Sequence, residues 1–453
     1  MASRASLRLL LGLAFPMVLA RASQAVITFA DAIQVRELGA TALAATATGG
    51  LNVTGLVILP MGTVFIVQSF VAQLVGSGRR GDARRFAWYG LAIAALAGAA
   101  SALLIPLVGP AMSLTGYSPA VRDQMTDYMA IRMLSVAAVV GVEALGNWYG
   151  GLGNTRMQMT AGLVTMALAV GVNWVLIGGH LGAPALGVRG AAVASVIASW
   201  SGFAVLAVAF WRRWGGVPRS AGPLGLRIAE LGRVVRFGVP NGLNWFLEYA
   251  AFQLFVNVVL ASLGDDTVAA INVVLTVNAA SVFPAAAIAT AGSILVGQAI
   301  GRGERDAVWA QVKTTLACTA SWMAVLGLGY ALFPRSVLGL FIQKPGTGAL
   351  ISIATMMLWI SALWQVLNAV TMTLSETLRA AGDTAWTAAV RLILAWLLFA
   401  PSALAAVKLA GAGPVGAMLC LIGYVAALAV ATAWRYRSGA WRRIELIEPV
   451  LVT

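Results

Sequence analysis

The chain has 453 residues, of which 60% are hydrophobic and 10% charged, with a formal net charge of +14 and a mean hydropathy of +0.87. Soluble domains carry roughly a quarter of their residues as charges, so this is an integral membrane protein. Its apolar blocks number twelve, which leaves about 38 residues for each span and its loop against about 20 needed to cross hydrocarbon. That spacing leaves no room for a soluble domain. With no G-x-x-x-x-G-K-[ST] loop in the sequence, an ATP-hydrolysing pump on one chain is excluded.

In chain order the apolar blocks predict helices over 9–35, 42–75, 86–112, 120–150, 157–180 and 187–211, then 230–262, 267–300, 308–333, 347–380, 385–407 and 411–435. Several are longer than a bilayer crossing, which predicts tilt or kinks at Pro16, Pro60, Pro240 and Pro284. Arg4 and Arg8 before Leu9 to Ala20, with Ala20-Arg21-Ala22 behind, imitate a secretory signal. The segment is instead read as the first span, because an internal repeat supplies it with a partner in mid-chain. Cys318 and Cys420 lie in separate apolar blocks, so no disulfide framework is indicated.

Where the basic residues sit decides what the charge means. With the N-terminus in the cytoplasm, twenty-two fall on that side, in the clusters Arg4 and Arg8, Arg79 to Arg85, Arg212 to Arg236, Arg302 to Lys313 and Arg435 to Arg443, with Arg156, Arg379 and Arg391. Six fall opposite: Arg36, Arg122, Arg189, Arg335, Lys344 and Lys408. Arg21 and Arg132 remain inside or at the ends of helices. This positive-inside bias makes the excess charge a topology signal and an attraction to anionic headgroups, not a nucleic-acid footprint. The inner membrane, with both termini cytoplasmic, is the expected location.

The two halves repeat. Leu13 to Pro16 with Leu38-Gly39 and Ala44-Ala45 returns as Phe237 to Pro240 with Leu263-Gly264 and Ala269-Ala270, and Gln73-x-x-Gly76-x-Gly78 returns as Gln298-x-x-Gly301-x-Gly303. Pro106 pairs with Pro334, Gly153-Asn154-Thr155 with Gly382-Asp383-Thr384, and Gly187-x-x-Gly190-Ala191 with Gly413-x-x-Gly416-Ala417. A single Gly or Pro marks only a helix end or a close crossing; the shared order carries the information. Six spans per half re-enter the membrane in the same sense, so the predicted fold is an all-α integral membrane protein. Its twelve transmembrane helices form two six-helix bundles related by a pseudo-twofold axis along the membrane normal. The expected division is an N-lobe at 1–211, a basic linker at 212–229 with Gly215-Gly216, Pro218, Gly222 and Pro223, a C-lobe at 230–435 and a tail at 436–453.

Four acids cannot be assigned to loops: Asp31, Glu143, Glu248 and Glu376. An ionised carboxylate at the bilayer centre costs at least about 2.5 kcal/mol, so each must face a cavity, a partner or a bound cation. Asp31 shares the first span with Gln24, Gln34 and Arg21; Glu248 lies about 12 Å beyond Pro240 along the seventh, near mid-membrane. Glu143 and Glu376 sit toward the inner ends of their spans, where cytoplasmic Arg can pair with them. His180 is read as a solvated loop residue, which argues against a histidine relay or a zinc site. Trp245, Phe246, Tyr249, Trp359 and Trp364 lie deep enough to line a cavity where flat organic cations stack, although for each alone lipid-facing bulk is the more common explanation.

These features together resemble the multidrug and toxic compound extrusion (MATE) family: Pro16 to Gly39 with Asp31, the doubled Gln-x-x-Gly-x-Gly, Asn173-Trp174, and Leu378-Arg379-x-x-Gly382-Asp383. Pro240 followed by Glu248 is more similar to its NorM-like than to its DinF-like branch. The resemblance implies no enzyme and no cofactor. It implies a monomeric antiporter that exports cationic amphipathic compounds in exchange for H⁺ or Na⁺. By that resemblance Asp31, Asn173 and Glu248 are the cation-coupling residues, where Na⁺ is also a candidate ligand, and the usual acid of the tenth helix falls on Asn368, an amide. A second acid beside Glu248 is then missing unless Glu376 supplies it, which favours H⁺. A flippase for a lipid-linked precursor from the same superfamily is the nearest alternative and needs a cavity lined by several Arg or Lys, of which Arg21 is the clear candidate. An intramembrane prenyltransferase would need paired Asp motifs for Mg²⁺-diphosphate, and Asp265-Asp266 stands without a partner cluster.

Overall fold

A computed structural model describes residues 4–218, 225–341 and 348–447. The linker residues Arg219, Gly222 and Pro223, the outer-loop Lys344 and the tail from 448 lie outside the described residues. Among the described residues twelve helices are long and apolar enough to span a membrane. They are α1 (Arg4–Arg36), α2 (Ala40–Gly76), α3 (Ala83–Ser113), α4 (Pro119–Gly151), α5 (Thr155–Gly178), α6 (Gly187–Trp211), α7 (Ile228–Leu263), α8 (Asp265–Gly301), α9 (Val308–Leu332), α10 (Gly348–Ala381), α11 (Thr384–Lys408) and α12 (Pro414–Arg437). Each predicted helix is present to within a few residues. Pro16, Pro60, Pro240 and Pro284 all sit inside continuous helices.

Outward faces are apolar rather than charged: Leu103, Val325 and Leu363 are 79%, 67% and 70% exposed. In water such a surface would drive aggregation, whereas hydrocarbon is indifferent to it. With no hydrophobic drive between helices in lipid, close approach and hydrogen bonding hold the bundles together. Gly98 of α3 is one such contact, since a Cβ there would stand 2.4 Å from the Ala137 Cβ of α4.

The chain divides into two compact units, Phe15–Gly242 and Met1–Ala14 with Leu243–Thr453. The cuts fall within α1 and α7, close to Pro16 and Pro240, where proline withholds a helical N–H. In the first unit α5 packs on α6, and α3 packs on α4 beside a core of Val57, Val64, Met125, Val136 and Val140. Trp148 is fully buried and its Nε1 donates to the Ala83 carbonyl at 2.7 Å. The start of α7 belongs to this unit because buried Glu230 accepts from Arg85 at 2.9 Å and from the Tyr89 hydroxyl at 2.8 Å. In the second unit α10 packs on α8, α9 and α12, and the core centres on Phe255, Met357, Leu358, Phe399 and Tyr424. Two π-helical stretches, Phe255–Leu260 and Leu394–Phe399, lie in α7 and α11; the Phe255 and Phe399 rings meet at 5.0 Å.

The sequence repeat has a structural cause. Gly39 and Gly264 open α2 and α8 at φ 99° and 103°, Gly78 and Gly303 close those helices at 78° and 80°, and Gly153 and Gly382 turn between spans at 85° and 91°. Each pair holds the same left-handed backbone, which side chains disfavour. Asn154 Nδ2 donates to the Gly215 carbonyl at 2.8 Å, and its counterpart Asp383 accepts from Arg435 at 2.7 Å.

Three assignments from sequence change. Arg391, expected on a basic loop, lies inside α11 with its side chain 14% exposed. Arg379, expected at the surface, is 3% exposed in the last turn of α10. In both cases a carboxylate on or beside the same span holds the guanidinium in. Asp265 and Asp266, expected in a loop, form the first turn of α8, where the helix dipole favours acids.

Candidate functional site

Inside the first unit α1 and α5 are joined by polar side chains. Asn173 of α5 is fully buried and its Nδ2 donates to Asp31 Oδ1. One turn on, Gln34 Nε2 reaches the Val170 carbonyl at 3.4 Å. Asn173 Oδ1 is buried with no hydrogen-bond partner among the described residues. Asp31 also borders a cavity of about 290 Å³, with Thr28, Thr46, Tyr128 and Arg132 on its wall. The Arg132 guanidinium stands 6.0 Å from the Tyr128 ring centre. The carboxylate therefore has one fixed neutral donor and faces a void that already contains a cation.

A second cavity, of about 200 Å³, is bordered by Arg21, Gln24, Glu143 and Gln158, with Met61, Val139 and Val142 supplying apolar wall. Glu143 Oε1 accepts from Asn147 Nδ2 at 2.9 Å. The expected partnership of Glu143 with a basic residue from the surface is replaced by this bond along its own helix.

In the second unit Glu248 of α7 is paired with Arg391 of α11. Trp245 and Tyr249 flank Glu248 on α7, both half-buried. In the core of this unit Tyr424 is 6% exposed, its ring stacked on Phe399 at 5.1 Å. Glu376 is paired with Arg379, whose Nη2 also donates to Ser293 Oγ at 3.0 Å. Asn368 is half-buried on α10 and makes no side-chain hydrogen bond among the described residues. The partner of Glu248 is thus a cation of the protein itself. The sequence flagged Arg132 only as unassigned and misplaced Arg391; the signal for both was a basic residue within an apolar block, six residues or more from its end. His180 is exposed, its ring stacked on Trp174 at 4.1 Å, and no group of three or more metal-ligating side chains is gathered among the described residues.

Two six-span repeats with ionisable groups turned into cavities of the bundle define a polytopic solute transporter, not an enzyme. The chain belongs to the MatE family, whose model matches residues 16–175 and 240–405, one block in each repeat. It is 28% identical to the probable multidrug resistance protein NorM of Neisseria meningitidis serogroup A, over 79% of this chain and 78% of that protein. It is 25% identical to the multidrug resistance protein NorM of Burkholderia vietnamiensis, over 94% and 92%. Among solved structures, a MOP superfamily transporter from Pyrococcus furiosus, described as having a binding pocket of reverse polarity, superposes with a TM-score of 0.88 at 17% identity, covering 97% of both chains. A mutant of the Vibrio cholerae MATE transporter VcmN does so at 0.86 and 18%, covering 98% and 99%. These structures share the fold of this chain.

Proposed function

We propose that this protein is a multidrug efflux antiporter of the inner membrane, with both termini cytoplasmic, that exports cationic amphipathic compounds in exchange for H⁺ entering at Asp31. The observation that carries this reading is the Asp31–Asn173 pair beside a cavity that also holds Arg132. A carboxylate in such a site is tolerable when it holds a proton or faces a cation, and mutual exclusion of those states is antiport. Asn173 suits both states, since its amide donates to the ionised acid and its unpartnered oxygen can accept from the protonated one. Na⁺ needs several oxygen ligands without a neighbouring cation, and Arg132 on the same wall disfavours it. The names of the relatives in Neisseria and Burkholderia support the substrate class. Alternating access by rocking of the two repeats follows the general design of duplicated transporters. For a lipid-linked precursor, clustered cations are needed; Arg21 and Arg132 border separate cavities.

The test is efflux of a cationic dye from proteoliposomes under an imposed pH gradient or an imposed Na⁺ gradient. The pH gradient drives wild-type efflux, the Na⁺ gradient does not, and Asp31→Asn loses at least about tenfold of the rate while still inserting, the size of effect expected when a coupling proton site is removed. Full efflux by Asp31→Asn, or drive by Na⁺ alone, overturns the coupling assignment.

A further inference from the structure

We propose that the basic end of the first unit binds the phosphate of one anionic phospholipid at the seam between the start of α3 and the end of α6, with Arg84 as its central ligand. The arginines that lead into α3 are not equivalent. Arg79 is neutralised by Asp82 at 2.9 Å, and Arg85 by Glu230 at 2.9 Å. Arg84 is half-buried, and among the described residues it makes neither an ion pair nor a hydrogen bond, its Nε being buried without an acceptor. Its guanidinium stands 5.7 Å from the ring centre of Phe210 on α6, and Trp88, one turn along α3, meets the same ring edge-on at 5.9 Å. An aromatic face attracts a cation without cancelling its charge. A partly desolvated guanidinium at a membrane boundary therefore calls for an anion.

Arg212 and Arg213 follow α6 directly, and both are exposed. Arg213 adopts a left-handed backbone at φ 59°, in the position after a helix where glycine is the default. Arginine is kept there against backbone strain, with no side-chain hydrogen bond or ion pair among the described residues in return. The surroundings fit a lipid better than a free anion. Trp211 and Trp214 are exposed, as rings at headgroup level are, and beyond the seam α3 and α6 present Leu96 and Val208 to hydrocarbon. Guanidinium forks match pairs of phosphate oxygens, and basic pockets between helix ends hold anionic headgroups. A zwitterionic lipid would bring its own ammonium against these arginines.

The second repeat closes the same spot with its own chain. In the register that pairs Gln73 with Gln298 and Gly190 with Gly416, Arg84 corresponds to Trp309 and Phe210 to Tyr436. Those two rings meet at 5.9 Å, and buried Trp441, beyond the end of α12, stacks on Tyr436 at 5.6 Å. The seam in the first unit shares no residue with the cavities at Asp31 and Arg21.

The test is native mass spectrometry of the delipidated full chain in nonionic detergent, titrated with palmitoyl-oleoyl phosphatidylglycerol, the matching phosphatidylcholine, or glycerol 3-phosphate. One phosphatidylglycerol is retained at least about tenfold more tightly than phosphatidylcholine, the size expected of charge-assisted hydrogen bonds, and glycerol 3-phosphate neither binds nor competes. Arg84→Gln abolishes the preference, whereas Arg437→Gln, an exposed arginine at the end of α12, leaves it intact. Equal retention of the two lipids, unchanged preference in Arg84→Gln, an equal loss in Arg437→Gln, or glycerol 3-phosphate binding as tightly as the lipid overturns the proposal. If Arg84→Gln does not elute as a single folded species, Arg213→Gly decides, because glycine relieves that turn and removes only the charged side chain. A weakened preference is then expected, and an unchanged one overturns the site.

Discussion

Arg391 illustrates how one side chain redefines a site. Glu248 was legible as an intramembrane acid because Trp245-Phe246-Leu247-Glu248-Tyr249 has no helix end nearby. Its partner was not, since Arg391 stands eight residues after Asp383, toward the cytoplasmic end of its span, and groups by sequence with the basic residues of that side. Removing the guanidinium leaves a carboxylate facing a low-dielectric core. Glu248 is 44% exposed, so the loss expected for Arg391→Gln is about 1–2 kcal/mol, below the 3–5 of a fully buried pair. Thermal denaturation in detergent checks it: the midpoint falls in the single variant and largely recovers in Arg391→Gln with Glu248→Gln. An unrecovered double variant would mean that Arg391 acts through other contacts. Asp31 and Asn173 were legible together through the family resemblance, but Arg132 and Tyr128 were not, because cavity walls depend on side-chain direction rather than on spacing.

At the scale of the element, helix existence was read correctly because each span is a long apolar block closed by Gly, Pro or charge. The unseen features were irregularities inside spans. The π-helical stretches in α7 and α11 are apolar apart from Asn257, and nothing in Phe-Val-Asn-Val-Val-Leu or Leu-Ala-Trp-Leu-Leu-Phe distinguishes them from α-helix. The close approach of α2 to α7 was equally hidden. Gly242 of α7 lies where a Cβ would stand 2.3 Å from the Leu59 carbonyl oxygen and 2.5 Å from Thr63 Oγ1, and the neighbouring Asn241 Nδ2 donates to the Gly62 carbonyl at 2.6 Å. Backbone cannot yield as a side-chain tip can, so Gly242→Val forces the helices apart and costs about 1–3 kcal/mol. Gly12→Val, with nothing near its Cβ, is the matched control. A lower denaturation midpoint for the first and an unchanged one for the second are expected; equal midpoints would remove the argument for close packing.

At the scale of the whole molecule the two repeats share a backbone plan and differ in their charges. Matched left-handed glycines carry the plan, which is why the repeat was readable. The first unit holds Asp31, Arg132, Arg21 and Glu143 against cavities, whereas the second holds Glu248 closed on Arg391 and Glu376 closed on Arg379. Because an ion pair has no net charge, Glu248 held by Arg391 leaves no unbalanced charge in the C-terminal repeat. If Asp31 alone takes up the coupling proton, one positive charge enters for each monovalent drug that leaves, and the exchange is electrically silent. A potential of 100 mV acts on each transferred charge by about 2.3 kcal/mol, and in such an exchange the two contributions cancel. Drug accumulation is then expected to change about tenfold per pH unit and to stay flat when a potassium diffusion potential is imposed on the vesicles. A current that scales with voltage would require a second proton, and Glu248 would have to release Arg391 to carry it.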